Sequence, residues 1–232
     1  EKTDDPSDYY GCIEMIVDER MVTYIHSLET PENSLLEEIE KEALDTYVPI
    51  IRKETKSFLK TLITMNRPMN ILEVGTAVGF SALVMSEYAP AGCKITTIEN
   101  YDKRIPIARE NFRRAGKESD ITLLEGDALE VMKGLAGPYD FVFMDAAKGQ
   151  YIHYLPEVTR LLSEGGVLVS DNVLQDGDVI ESRYAVERRN RTIHSRMREY
   201  LFELKHSDIY ETAILPLGDG IALSVKRRTS EK

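Results

Sequence analysis

Short apolar runs alternate with amphipathic stretches through the middle of the chain. Segments with apolar positions at helical spacing, such as residues 102–115 and 150–162, lie between the runs. The runs themselves are nearly continuous in apolar character, which is typical of strands that are covered on both faces. Strands that alternate with helices predict right-handed crossovers and a mostly parallel sheet. The predicted strands cover residues 70–75, 94–99, 121–126, 139–145 and 166–171.

Helical spacing also precedes the first apolar run. Pro31 marks a turn within that part of the chain. We interpret residues 1–48 as a helical extension that caps the rest of the chain or forms dimer contacts, and residues 49–232 as one α/β domain. The predicted helices cover residues 13–29, 35–44 and 58–63.

The last part of the chain departs from the alternation of strands and helices. A long polar-rich helix is predicted over about residues 182–206. Two alternating runs then flank Gly218-Asp219-Gly220, which indicates an antiparallel hairpin. We therefore expect an α/β fold of Rossmann-like type, with a mostly parallel sheet, helices on both faces and a C-terminal antiparallel hairpin.

Composition narrows the class of protein. The chain has 232 residues, of which 42% are apolar and 30% charged, as in globular domains. It contains no apolar run of membrane-spanning length, and residues 1–6 lack a signal-peptide pattern. Cys12 and Cys93 lie far apart, so we expect two unpaired thiols in a cytoplasmic protein. The net charge of −11 argues against general nucleic-acid binding but allows a local basic face.

Acidic and glycine residues at three predicted strand ends suggest a nucleotide-like cofactor. Glu73 and Gly75 end the first strand, Glu99 ends the second, and residues 126–128 (Gly-Asp-Ala) follow the third. The glycine spacing is not G-x-G-x-x-G, so it suits S-adenosylmethionine, which has no phosphate, better than a dinucleotide. Glu73 can face the cationic amino-acid end, Glu99 the ribose hydroxyls and Ala128 the adenine. The alternative is a set of turns and helix caps, including Asp127 as an N-cap.

Oxygen-bearing side chains end the next two predicted strands. Asp145 follows the fourth strand, and Asp171 and Asn172 follow the fifth. Because these strand ends share one edge of a parallel sheet, we expect the side chains to converge. Two carboxylates and one amide suit Mg²⁺, Mn²⁺ or Ca²⁺ and disfavour zinc. The alternative is that the two acids only cap helices or form turns.

Taken together, these motifs resemble the small cation-dependent O-methyltransferases, which include the catechol and caffeoyl-CoA enzymes. The resemblance spans about residues 50–227, and its most specific part is the pairing of Asp-Ala-x-Lys with Asp-Asn. One departure is Ala147, where the plant-like motif often has Asp. The matching segments are 71–83 (ILEVGTAVGFSAL), 97–116, 125–128 (EGDA), 140–151 (DFVFMDAAKGQY), 165–174 and 216–226.

The resemblance implies a seven-stranded methyltransferase sheet and a homodimer, and the amphipathic N-terminal helices also suggest a dimer. It implies that the metal is held by Asp145, Asp171 and Asn172. Lys148, which lies three residues after Asp145, could take a proton from the acceptor or stabilise its oxyanion. The implied cofactor contacts are Glu73, Gly75, Ser81, Glu99, Asp127, Ala128 and Asp145, with the backbone near Ile51 closing over the cofactor.

Within that family the chain looks similar to bacterial tRNA 5-hydroxyuridine methyltransferases. Six arginines lie between Arg183 and Arg198 against one acid, Glu187. Arginine suits phosphate because its planar fork makes paired hydrogen bonds. The residues predicted to bind a tRNA anticodon stem-loop are Arg188, Arg189, Arg191 and Arg196.

Several alternatives stay open for the same residues. The arginines could form a solvated helix face or make intersubunit salt bridges to the acidic N-terminal helices. His194 could either stack on a base or lie on the helix surface. The acceptor could be a small catechol-like molecule rather than tRNA. A nicotinamide-dependent oxidoreductase is disfavoured by the missing G-x-G-x-x-G, and a non-catalytic binding module by the intact set of ligands.

Overall fold

The structure is a computed structural model that describes residues 17–229. Cys12 and the first part of the helix predicted over 13–29 lie outside the described residues. Within them, helices α1–α8 span Glu19–Ser27, Ser34–Asp45, Lys53–Asn66, Phe80–Tyr88, Ile105–Arg114, Ala128–Lys133, Tyr151–Leu161 and Arg191–His206. Strands β1–β7 span Asn70–Val74, Lys94–Glu99, Ile121–Glu125, Tyr139–Met144, Leu162–Ser170, Tyr210–Leu215 and Ile221–Lys226.

The seven strands form one sheet in the order β3-β2-β1-β4-β5-β7-β6. Strands β1 to β5 are parallel, and β7 pairs antiparallel with both β5 and β6. The predicted parallel sheet and C-terminal hairpin are therefore confirmed. Because the chain winds outward from β1 in one direction and from β4 in the other, a crevice opens between the carboxyl ends of these two strands. Open α/β sheets bind ligands at such a point.

Both faces of the sheet are covered, which explains the continuous apolar runs. In β4, Phe141 and Phe143 pack with α3 and α4 on one face. Val142 and Met144 pack with α7 and α8 on the other. Successive side chains of a strand point to opposite faces, so a strand buried on both sides needs an apolar residue at every position.

The two N-terminal helices differ in their contact with this core. Leu36 and Ile39 of α2 are almost fully buried and belong to the same cluster as Phe141. In contrast, no residue of α1 is buried. No helix among the described residues has the length and apolarity needed to cross a membrane.

The prediction for the last helix was wrong at its start. Helix α8 begins at Arg191, whereas residues 181–190 form turns. These turns persist because the Arg191 side chain donates hydrogen bonds to the carbonyls of Val186 and Tyr184, at 3.1 and 3.2 Å. His194 is also not on the surface: it is 3% exposed, and its Nε2 lies 3.1 Å from the carbonyl of Glu181. Its burial excludes stacking on a base in this arrangement.

Candidate functional site

A cavity of about 670 Å³ opens at the carboxyl ends of the parallel strands. That volume falls within the ~300–1,000 Å³ typical of small-molecule sites. Its wall comprises residues that follow β1, β2, β3, β4 and β5, together with the segment before α3. The predicted site residues that line it are Ile51, Gly75, Ser81, Glu99, Ala128, Asp145, Lys148, Asp171 and Asn172.

Backbone hydrogen bonds hold the strand ends in register. The amide of Gly75 donates to the carbonyl of Ile98, the amide of Asp145 to Val74, and the amide of Asp171 to Met144. Each of these three residues follows a strand, and its amide is bonded to a carbonyl near the carboxyl end of the neighbouring strand. This pairing brings side chains from distant parts of the sequence to one edge.

Gly75 is required by the way two strand ends meet. Its φ is +103°, and a Cβ built there would lie 2.0 Å from the carbonyl oxygen of Asp145. A side chain at this position would therefore be both strained and in collision with backbone. The sequence-based explanation was close approach of a ligand, and the structure adds close approach of the β4 end.

Glu73 does not line the cavity. Its side chain is fully buried, and it accepts hydrogen bonds of 2.5 Å from the hydroxyls of Ser81 and Thr97. Burial raises the pKa of Glu73 to about 8, and the nearby carboxylates of Asp145 and Glu99 add to the effect. Ser81 does line the cavity, so this hydroxyl lies between Glu73 and the open space.

Glu99 and Asp127 differ in what their carboxylates contact. One oxygen of Glu99 accepts from the amide of Ala77 at 2.7 Å, and the other accepts from the amides of Asn100 and Tyr101 at 3.0 Å. Asp127 accepts from the amides of Leu129 and Glu130, which makes it the N-cap of α6. The N-cap alternative for Asp127 is confirmed, and its side chain does not line the cavity.

Two of the three predicted metal ligands contact one ammonium group, and the third, Asp171, is the neighbour of Asn172 in sequence. Nζ of Lys148 donates to Oδ1 of Asp145 at 2.7 Å and to Oδ1 of Asn172 at 2.5 Å. Asp171 is 2% exposed, and burial together with the negative charge of Asp145 raises its pKa to about 7. The carboxylates of Asp145 and Asp171 therefore repel each other across a site that already attracts one positive charge.

This arrangement fits a hard divalent cation. The donors are carboxylate and amide oxygens, and two of them already converge on a positive group. No cluster of three or more His, Cys, Asp or Glu suited to a metal occurs in residues 17–229, so a third oxygen beside the two carboxylates is available here from the amide of Asn172. The described residues that line the cavity include no His or Cys, which are the nitrogen and sulfur ligands of a zinc site.

Tyr151 braces the two strand ends that carry the acids. Its buried hydroxyl lies 3.0 Å from the carbonyl of Met144 and 3.2 Å from that of Asp171, and it accepts from the amide of Ala146 at 3.2 Å. Burial raises the pKa of Tyr151 well above its usual value. The phenol is therefore a neutral link between the β4 and β5 ends.

The four arginines predicted to bind tRNA fall into two groups. Arg188 and Arg189 are exposed in the turns before α8, and Arg189 forms an exposed ion pair with Glu187. Arg191 donates to backbone carbonyls, and Arg196 donates to the carbonyl of Gly149 at 3.0 Å. Only the first group offers guanidinium groups directed to solvent.

Sequence reasoning missed several residues of the cavity wall. Arg52 at its mouth forms ion pairs with Asp176 and Asp219, at 3.0 and 2.5 Å. Tyr101 and Arg104 stack as a cation–π pair, with 5.2 Å from the guanidinium carbon to the ring centre. The sequence did contain an indication for Asp219, because an acidic residue between two glycines in a hairpin turn can contact the structure that the turn faces. Arg52 had no comparable signal.

Comparison with known proteins was consistent with this geometry. The model of a protein family described as O-methyltransferase matches residues 25–227 of this chain. A catechol O-methyltransferase from Mycobacterium tuberculosis is 34% identical, over 73% of this chain and 77% of that protein. A catechol O-methyltransferase from Niastella koreensis is 35% identical, but the match covers 53% of this chain and 58% of that protein.

Solved structures of other proteins have the same fold as this chain. A crystal structure of a protein described as a caffeoyl-CoA O-methyltransferase from Staphylococcus aureus has a TM-score of 0.83 and 32% identity, over 90% of this chain and all of that one. A methyltransferase from Podospora anserina with S-adenosylhomocysteine bound has a TM-score of 0.80 and 25% identity, over 90% of this chain and 94% of that one.

Proposed function

The chain belongs to the S-adenosylmethionine-dependent O-methyltransferases of the catechol and caffeoyl-CoA type, and we propose that it methylates one oxygen of an adjacent oxygen pair with a divalent cation bound. One observation carries this proposal. Oxygens of Asp145 and Asn172 face a single positive group at the wall of the cavity, and buried Asp171 lies beside them. A cation held there would be within reach of an acceptor in the same cavity.

The proposed roles follow from the position of each side chain. Glu99, fixed by three backbone amides, would accept hydrogen bonds from the cofactor ribose, and Gly75 and Ala128 would border the cofactor. A divalent cation supplies charge that favours loss of the acceptor proton and holds two acceptor oxygens in place. Lys148 would then stabilise the acceptor oxyanion or receive its proton. Alignment of oxygen, methyl and sulfur would supply most of the rate gain.

The cation role is tested by removing the negative charge of one ligand. We expect Asp171→Asn to lower turnover by at least ~100-fold, because a buried charged ligand becomes neutral. Asp208→Asn is the matched control, since this residue is exposed beyond α8. Turnover would be measured with a catechol panel and added Mg²⁺. Full activity of metal-stripped wild-type protein in excess chelator would exclude the role.

For the acceptor, we propose wobble 5-hydroxyuridine of tRNA, which offers a 5-hydroxyl next to a 4-carbonyl. Two features support it. The sequence resembles bacterial tRNA 5-hydroxyuridine methyltransferases, and the segment with exposed Arg188 and Arg189 connects two parts of the site. That segment begins near Gln175 in the cavity wall and ends in α8, which packs against the turn at Lys148–Gln150. Phosphates of an anticodon stem could reach these arginines while the base enters the cavity.

A small catechol-like acceptor is the second candidate. The names of the M. tuberculosis and S. aureus relatives favour it, as does the net charge of −11. Arg191 and Arg196 would be less available to an RNA phosphate than the sequence suggested, because backbone carbonyls already accept hydrogen bonds from them.

Replacing a pair of arginines distinguishes between the two candidate acceptors. We expect Arg188→Ala/Arg189→Ala to reduce methylation of hydroxylated tRNA by about tenfold at low salt while leaving methylation of catechol within about twofold, because phosphate contacts are lost. Arg109→Ala/Arg113→Ala on α5 removes the same charge from another exposed surface and serves as control. Equal loss on both acceptors, or a tRNA rate that salt does not change, would contradict the tRNA proposal.

A further inference from the structure

The turn between β6 and β7 holds a carboxylate that the proposed mechanism does not use. Asp219 has a side chain that is 14% exposed, and its Oδ2 accepts a hydrogen bond from Nδ2 of Asn172 at 3.0 Å. At the other end of the same amide, Oδ1 of Asn172 accepts from the ammonium of Lys148. Both ends of the Asn172 amide are therefore hydrogen-bonded: its nitrogen donates to the Asp219 carboxylate, and its oxygen accepts from the Lys148 ammonium.

The amide of asparagine has a donor end and an acceptor end of nearly the same shape. Only the oxygen end can bind a cation, and a rotation that exchanges the ends would direct N–H groups at the metal. An ionised carboxylate accepts hydrogen bonds and does not donate them, so it selects the nitrogen end of the amide. We propose that Asp219 is a positioning residue that keeps the oxygen of Asn172 directed at the cation. The inference rests on the cation site of the proposed function.

The backbone around Asp219 is built to keep this contact. The amide of Leu174 donates to the carbonyl of Asp219 at 2.8 Å, and the amide of Val173 donates to the carbonyl of Gly220 at 3.0 Å. A Cβ on Gly220 would lie 2.3 Å from Cγ of Leu174, so only glycine allows this approach. The hairpin turn is thereby tied to the two residues that directly follow Asn172.

Arg52 contacts the other oxygen of the same carboxylate. Its Nη2 lies 2.5 Å from Oδ1 of Asp219 and 3.0 Å from Oδ1 of Asp176. Among the described residues Oδ1 of Asp219 accepts no hydrogen bond of good geometry, so this contact is mainly electrostatic. Asp219 could therefore serve only to neutralise Arg52. Asp176 offers the comparison, because it contacts Arg52 and the carboxyl of Asp219 but not Asn172.

The test measures Mn²⁺ affinity in the absence of cofactor and acceptor, by electron paramagnetic resonance of the free ion. We expect Asp219→Ala to weaken Mn²⁺ binding by about tenfold or more, the usual effect of removing a partner of a metal ligand. Asp219→Asn can present either a donor or an acceptor to Asn172, so its affinity should lie between those of wild type and Asp219→Ala. Asp176→Ala should stay within about twofold of wild type. If Asp219→Ala does not fold, as judged by circular dichroism, Asp219→Ser replaces it.

A second background isolates the orientation of the amide. In Asn172→Asp, either end of the side chain presents an oxygen, so Asp219→Ala should cost less than about threefold there. The proposal is overturned if Asp219→Ala binds Mn²⁺ like wild type, if Asp176→Ala loses as much, or if the full cost persists in the Asn172→Asp background. Wild-type protein that binds no Mn²⁺ would instead refute the cation site, and this inference with it.

Discussion

Glu73 is a carboxyl whose surroundings disfavour its ionised form. It lies at the end of β1 with no exposed surface, and the hydroxyls of Ser81 and Thr97 are its hydrogen-bond donors. These two hydrogen bonds lower its pKa, but burial outweighs them and raises the pKa to about 8. Because Ser81 also borders the cavity, a cationic group bound there would act on Glu73 through one hydroxyl.

The raised pKa of Glu73 has a consequence for stability. Between about pH 4.5 and about pH 8 the unfolded chain has lost the proton that the folded chain keeps, so stability falls as pH rises. Glu73→Gln has no group that titrates at this position. As pH rises across this range, the free energy of unfolding of wild type should therefore fall relative to that of Glu73→Gln, by up to about 1.4 kcal/mol per pH unit. Urea unfolding of cofactor-free protein would measure it.

The control for this pH series is Glu125→Gln, which changes an exposed acid at the end of β3. It should follow wild type within about 0.5 kcal/mol at every pH. Parallel curves for wild type and Glu73→Gln would mean that Glu73 titrates as an ordinary exposed acid, contrary to its burial.

At the scale of elements, the site depends on how closely two strand ends approach. The end of β1 contacts the end of β4 through backbone, with the amide of Asp145 bonded to Val74 and Gly75 facing the carbonyl of Asp145. Every group on this edge, from Glu99 on β2 to Asp171 after β5, is placed by the same ladder of hydrogen bonds. The geometry of the site is thus a property of strand register.

Gly75→Ala should distort this edge. The added methyl would collide with the carbonyl of Asp145 at a φ of +103°, so we expect a loss of more than about 3 kcal/mol in free energy of unfolding. Gly177→Ala is the matched control, because Gly177 has a φ of +97° and no atom within 4 Å of the added carbon. It should lose only about 1–2 kcal/mol, from backbone strain alone. Equal losses in urea unfolding would show that the contact between strand ends relaxes freely.

At the scale of the whole molecule, α2 packs into the same hydrophobic core as one face of the sheet. Besides the apolar contacts of α2, partly buried ion pairs join Glu32 to Lys60 and Glu40 to Lys56. Burial alone would raise the pKa of Glu32, but hydrogen bonds from Lys60 and Tyr88 hold that pKa below its usual value. The segment between α2 and α3, which this docking supports, contributes residues 49–52 to the cavity wall.

Removing one partner of the ion pair between Glu32 and Lys60 should weaken the packing of the N-terminal segment against α3. Lys60→Met leaves Glu32, whose side chain is 6% exposed, without its cation, so we expect a loss of about 1–3 kcal/mol in free energy of unfolding. Lys41→Met breaks the exposed pair with Asp45 and should cost less than about 0.5 kcal/mol. Chemical unfolding of both variants makes the comparison. A Lys60→Met protein as stable as wild type would mean that the pair contributes little to docking.

The amino-acid sequence alone predicted the strand and helix order, the parallel sheet and the hairpin, because these depend on local periodicity and on glycine turns. It also predicted that Asp145, Asp171 and Asn172 would meet, because parallel strands present their carboxyl ends at one edge. The start of α8 was predicted wrongly, since the side chain of Arg191 satisfies carbonyls that helical periodicity alone would assign to the helix.

Only the tertiary structure decided how each residue of the site is surrounded. The burial of Glu73 and His194, the local partners of Arg196, the contact of Gly75 with backbone and the contact of Asp219 with Asn172 all join separate segments of the chain. Periodicity records which face of its own element a residue occupies. Solvation, charge and hydrogen bonding depend on what packs against that face, and this is set by the assembly of the whole sheet and its helices.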